Sequence, residues 1–192
     1  MNRKLRGCPD HQRLGCPMTR LNRVEGNGPV PCSIMFIGEA PGETEDKKGK
    51  PFCGKSGVEL DRNYLKRSAR VYRENVYVTN VVKCRTNEKD RDPTVAEIAA
   101  CSGLLWAELA AVQPRYLGLI GSIATRWVLG PDVRMEKVHG FGYEWLDYLV
   151  MPLYHPAYAL HNTAMMLHVM DDFEHFGQMV RGDESVMWRE RR

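Results

Sequence analysis

The stretch SIMFIGEAPGETEDKKGKPFCG, residues 33–54, decides the reading of the fold. It opens with SIMFIG (33–38), a short continuous apolar run of the kind found in strands buried on both faces. Two glycine- and proline-rich turns follow, enclosing acidic residues, lysines, Phe52 and Cys53. A strand covered on both faces implies helices on both sides of a parallel sheet. In such sheets ligands bind at the carboxyl ends of the strands, where this polar loop begins.

Three more runs read as strands: NVYVTNVV (75–82), RYLGLIG (115–121) and YLVMPLY (148–154). Helical patterns lie between them over 56–72, 94–112, 122–130 and 163–180, the second opened by Thr94 and Glu97 in capping-box spacing. The methionines of 163–180 read as core filling. This alternation predicts an α/β fold, a three-layer α/β/α sandwich around a central, mostly parallel four-stranded sheet. Residues 133–147 read as a hairpin or an irregular excursion before the fourth strand.

At 192 residues the chain suits one domain over 1–192, with 1–7 and 182–192 as charged extensions. It carries 27 Lys and Arg against 24 Asp and Glu, so net charge alone does not argue for a nucleic-acid partner. The first 25 residues carry Arg3, Lys4, Arg6, Arg13, Arg20 and Arg23 against only Asp10 and Glu25, an arm equally readable as phosphate-binding or as a solvated tail. No run approaches the roughly 18 consecutive apolar residues of a spanning helix, and the N-terminus lacks a signal-peptide core. A cytoplasmic protein with no membrane association is expected.

Placed on this scaffold, Gly38-Glu39, Asn80, Gly121-Ser122 and His155 all fall at or just past strand ends. Singly, Glu39 is compatible with a loop acid, Asn80 with a turn cap and His155 with a core histidine. Their shared position favours one site. The cysteines leave more open. Cys8 and Cys16 lie in the basic arm (GCPDHQRLGCPMTR), Cys84 follows strand two, and Cys101 lies on the next helix. Four such cysteines suit an iron–sulfur cluster or a tetrahedral zinc, but no Cys-x-x-Cys is present, and buried structural thiols remain an equal reading. Cys32 reads as packing.

In order along the chain, MFIGEAPGETEDKKGKPFCGKSG, VYVTNVVKCR, RDPTVAEIAAC, LGLIGSIA, GYEW and YHPAYAL resemble the iron–sulfur (family four) uracil-DNA glycosylases. The resemblance implies the same α/β/α sandwich and a structural [4Fe–4S] cluster on Cys8, Cys16, Cys84 and Cys101, with Cys32 as the alternative to Cys8. It implies that Phe52 stacks on a flipped base, that Asn80 reads the base edge, and that Gly38 and Ala40 shape the pocket. Glu39 would orient water or stabilise the sugar cation, and His155 would bond the base O2 as charge develops there. Leu160 becomes a wedge candidate in the duplex, and Lys83, Arg85 and Arg91 become phosphate-contact candidates. Glu45 and Asp46 match a second acidic element without an assigned role.

The expected function is therefore a monofunctional, monomeric DNA glycosylase that removes uracil and leaves an abasic site. Two rivals remain. One keeps the reaction but releases a bulkier modified pyrimidine; it rests on Cys53 beside Phe52, on the loop RTNEKDRDP (85–93) and on His161. The other is a non-enzymatic cysteine–metal DNA-binding module.

Overall fold

The computed structural model describes residue 16, residues 22–86 and residues 91–188. Its strands are β1 (Ile34–Gly38), β2 (Tyr77–Asn80), β3 (Tyr116–Ile120), β4 (Tyr143–Trp145) and β5 (Tyr148–Leu153), hydrogen-bonded in the order β2-β1-β3-β5-β4. Four strands run parallel and only β4 is antiparallel, paired to β5 through a hairpin. The sheet thus has five strands and not four. The extra one lies in the 133–147 excursion, a three-residue edge strand too short to show a periodic pattern.

Residues of β1 alternate between two cores. Ile34 and Phe36 join Leu60, Tyr64, Phe173 and Phe176 on one face. Met35 and Ile37 join Leu105, Leu109, Ile123 and Val128 on the other. The first face is covered by α7 (Met166–Val180) and by α2 (Lys55–Glu59), which continues in π geometry over Leu60–Ala69. Here the rings of Phe36, Tyr64, Phe173 and Phe176 pack with centroids 4.8–6.0 Å apart. The second face is covered by α3 (Val95–Val112) and α4 (Ser122–Leu129). The Thr94–Glu97 capping box forms as the spacing predicts. Among the described residues α3 alone is long and apolar enough to cross a membrane; here its Cys101, Leu105, Leu109 and Val112 are buried in the core.

Three short helices were not foreseen. The charged stretch after the first turn forms α1 (Glu43–Lys48), and the chain after β5 forms α6 (Pro156–His161); α5 (Met135–Val138) precedes the hairpin. The strand order reverses between β1 and β3, so the loops after these strands open a crevice at their carboxyl ends.

Candidate active site

A cavity of about 400 Å³ occupies that crevice, with Glu39, Ala40, Phe52, Asn80 and His155 on its wall. The sheet register sets Gly38 beside Asn80. A Cβ on Gly38 would lie 2.5 Å from Asn80 Oδ1 and 2.6 Å from Phe52 Cζ. Only the missing side chain lets the amide and the ring sit together on this floor. Asn80 is almost wholly buried at 3% exposure, and its backbone carbonyl accepts a hydrogen bond from Lys83 Nζ at 2.7 Å.

Phe52 is held from two sides. Its φ of 50° is rare for a bulky residue and requires support from its surroundings. Glu45 Oε1 provides part of it, accepting from the next two backbone N–H groups, those of Cys53 (2.9 Å) and Gly54 (2.7 Å). Gly57 provides the rest: a Cβ there would sit 2.0 Å from the Phe52 carbonyl oxygen. Glu45, left without a role by the sequence, is therefore the clamp of this loop. Gly57 was missed, although a glycine inside a helical pattern signals close backbone approach.

His155 is the N-cap of α6, and its Nδ1 accepts from the Ala157 N–H at 3.1 Å. In the neutral ring that bond puts the proton on Nε2. Burial pulls the His155 pKa down to about 4 against the opposing pull of Glu45, so the ring is neutral at physiological pH. Glu39 is shifted the other way. Burial, with the nearby charge of Asp92 second, raises its pKa from 4.5 to about 7. The cavity therefore holds a neutral donor, an amide with both donor and acceptor, an aromatic face, and a carboxyl group poised near neutrality.

The basic residues divide. Lys83 is not on the surface, which corrects its assignment as a phosphate contact. It is 2% exposed, and Nζ donates to Thr79 Oγ1 (2.6 Å), the Asn80 carbonyl (2.7 Å) and Glu108 Oε2 (2.6 Å), using all three donors. Arg91 lines the cavity, but its guanidinium is engaged by both carboxylate oxygens of Glu97 at 2.8 and 2.6 Å. Arg85 is partly buried, and its charge helps to lower the Glu43 pKa, after Lys47. Leu160 is 44% exposed on α6 and borders an adjoining groove of about 480 Å³. Cys53 lines that groove and is not among the residues that line the cavity. Residues 87–90 and the His161 side chain lie outside the described residues.

Cys16, Cys84 and Cys101 are buried cysteines. The Lys83 ammonium, next in sequence to Cys84, is influenced by Cys101. The Val24 N–H donates to the Lys83 carbonyl at 2.7 Å and so fastens the segment after Cys16 to this corner. Cys8 lies outside the described residues, and among those described no three Cys, His, Asp or Glu form a metal-holding group. Cys32 is excluded as a substitute. It precedes the start of β1, at the opposite end of the sheet from Cys84, and its Sγ donates to the carbonyls of Ile34 (3.2 Å) and Asn75 (3.3 Å).

The model of the uracil DNA glycosylase superfamily matches residues 25–181, a span that takes in every wall of the cavity. The chain belongs to this superfamily. Among similar proteins is the Type-4 uracil-DNA glycosylase of Thermotoga maritima, 38% identical over 90% of this chain and 87% of its own length. Enzymes of the same description from Saccharolobus solfataricus (41% identical, 80% and 74% covered) and Sulfurisphaera tokodaii (38%, 81% and 73%) align comparably. Within the superfamily frame, the cavity at the β1–β3 crevice is the candidate active site, and the sandwich fold read from the strand pattern stands.

Proposed function

We propose that the protein hydrolyses the N-glycosidic bond of uracil flipped out of DNA, leaving an abasic site. The observation that carries this reading is the neutral His155, with its proton on Nε2, sharing one cavity with Asn80 and Phe52. Uracil enters with its face on Phe52 and its polar edge on the Asn80 amide. As the C1′–N1 bond breaks, the electron pair moves onto the base, and His155 Nε2–H donates to O2 where the charge collects. A neutral imidazole suits this role, because it needs no buried cation before the charge exists. On the sugar side, the ionised form of Glu39 offsets the oxocarbenium charge and accepts the proton of the water that bonds C1′. Among the described residues lining the cavity there is no lysine, in keeping with hydrolysis without a lyase step.

A four-cysteine [4Fe–4S] cluster on Cys8, Cys16, Cys84 and Cys101 completes the reading. Its support is the burial of the three described cysteines and the tie from Val24 into the corner of Cys84. Bound there, it would cross-link the basic arm to the end of β2, and no catalytic step passes through it. Leu160 and Arg85 are proposed to face the DNA. We regard the active protein as a cytoplasmic monomer.

The rival with a bulkier base loses one motive, since Cys53 lines the groove and is not among the cavity's lining residues. Incubation of the intact holoprotein with a uracil-containing oligonucleotide, followed by alkali, tests the main reading. Strand scission at uracil is expected. No scission at uracil, with release of another pyrimidine from a panel of modified DNAs, would transfer the reaction to that base. A cysteine–zinc DNA-binding module without catalysis would be colourless and would lose nothing when Asn80 is replaced.

A further inference from the structure

Asp172 is 2% exposed on α7, between the core residues Val169 and Phe173, where a hydrophobic side chain would be expected. A buried carboxylate is costly unless each oxygen is satisfied. Its two partners bear on one short segment. Oδ2 accepts from the Tyr154 N–H at 2.8 Å, the first backbone donor beyond β5. Oδ1 accepts from His139 Nδ1 at 2.7 Å, and the His139 ring lies against that of Tyr154 with centroids 4.3 Å apart. The next residue, Gly140, donates its N–H to the Pro152 carbonyl at 2.9 Å. Residues 152–154 are thus gripped from three sides just before His155. Tyr154 in turn stacks on Tyr158 of α6, the helix capped by His155 itself (centroids 5.8 Å, planes 7° apart).

We propose that Asp172 is a positioning residue for base release: with His139 it fixes Tyr154, so that the His155 ring meets the departing base. The proposal rests on the role given to His155 above. Asp172 and His139 touch neither base nor sugar, and they act only through the backbone that carries the histidine. Small misplacements of a catalytic group are expensive, about 100-fold in rate for 1 Å, so loosening this brace should be felt in the chemical step.

The test uses the holoprotein and a uracil-containing duplex under single-turnover conditions. Asp172→Asn and His139→Gln are each made in the native chain and in a His155→Ala background. In the native background each should slow base release by roughly 10- to 100-fold while leaving the Kd for abasic-site DNA unchanged. With His155→Ala in place, neither should add a further loss, because the group being positioned is gone. Equal losses in both backgrounds, or an unchanged rate in the native one, would overturn the proposal. His139→Gln carries the test should Asp172→Asn fail to fold. If His155→Ala alone released uracil as fast as the native chain, the assignment of His155 would fall, and this proposal with it. Equal losses in both backgrounds overturn this proposal alone and leave that assignment standing.

Discussion

Two ionisable groups flank the ends of β1 and β2, and the chain treats them in opposite ways. Lys83 is buried with an acceptor for each of its three protons, Glu108 among them. Glu39 is partly buried, and both influences on its pKa, burial and Asp92, push it upward. A fully matched charge is scaffold: it holds Asn80 and the corner of the sheet that carries Cys84. An unmatched one is held ready for charge that only the reaction supplies.

The contrast is easiest to break at Lys83. Lys83→Met leaves Glu108 without its buried partner and should destabilise the protein by about 3–5 kcal/mol. The salt dependence of DNA affinity should stay as it is, since a residue that touches no phosphate releases no counterion. Denaturant titration and binding isotherms across a salt series check the two halves. A slope that falls with the mutation would return Lys83 to the DNA surface.

On the site side, His155→Ala should slow uracil release about 10²- to 10³-fold with little loss of stability, the cost of removing one oxyanion-type donor. Single-turnover rates and thermal melts separate these. A melt that collapses along with the rate would make His155 scaffold like Lys83.

For Glu39 the sign is readable in pH. If the carboxylate is the active form, kcat/KM rises with pH and levels above about 7. Stability moves the opposite way. A carboxyl group whose native pKa is raised binds its proton more tightly when folded, so its contribution is present below pH 4.5 and is lost as pH climbs to about 7. Glu39→Gln should flatten the rate profile and, at pH 8, melt at a higher temperature than the native chain. A matched pair would give neither effect.

The smallest effects belong to the rim. Leu160→Ala should weaken affinity for uracil DNA by about 1 kcal/mol, roughly fivefold, as a part-exposed apolar side chain is lost. Arg85→Ala should lower the salt slope by about 0.9 for one phosphate contact. An unchanged slope would move Arg85 to the scaffold.

The same contrast explains what the sequence disclosed. Strands buried on both faces and a capping box are local patterns, and β1, β2, β3, β5 and α3 lie where those patterns put them. Glu39, Asn80 and His155 were legible because each stands beside a strand end, whereas Phe52 was singled out only by the family resemblance. Lys83 was misread because its one-letter surroundings, between Val82 and Cys84, do not reveal that Thr79 and Glu108 wait for it inside. Its partners come from a strand and a helix, and Glu108 lies 25 residues beyond it in sequence. Edge strand β4 and helices α1 and α6 escaped because three to six residues are too few to display a period. Glu45 and Asp172 escaped because what they hold is backbone, and backbone has no letter.

Gly57 has a bearing on how the molecule tolerates improvement. Inside a helix, glycine to alanine is ordinarily a safe stabilising exchange, worth roughly 1 kcal/mol. At this position the added methyl would land on the Phe52 carbonyl. Screening for heat resistance should therefore recover few substitutions at Gly57, and those it does recover should have shifted Phe52 and traded turnover for durability.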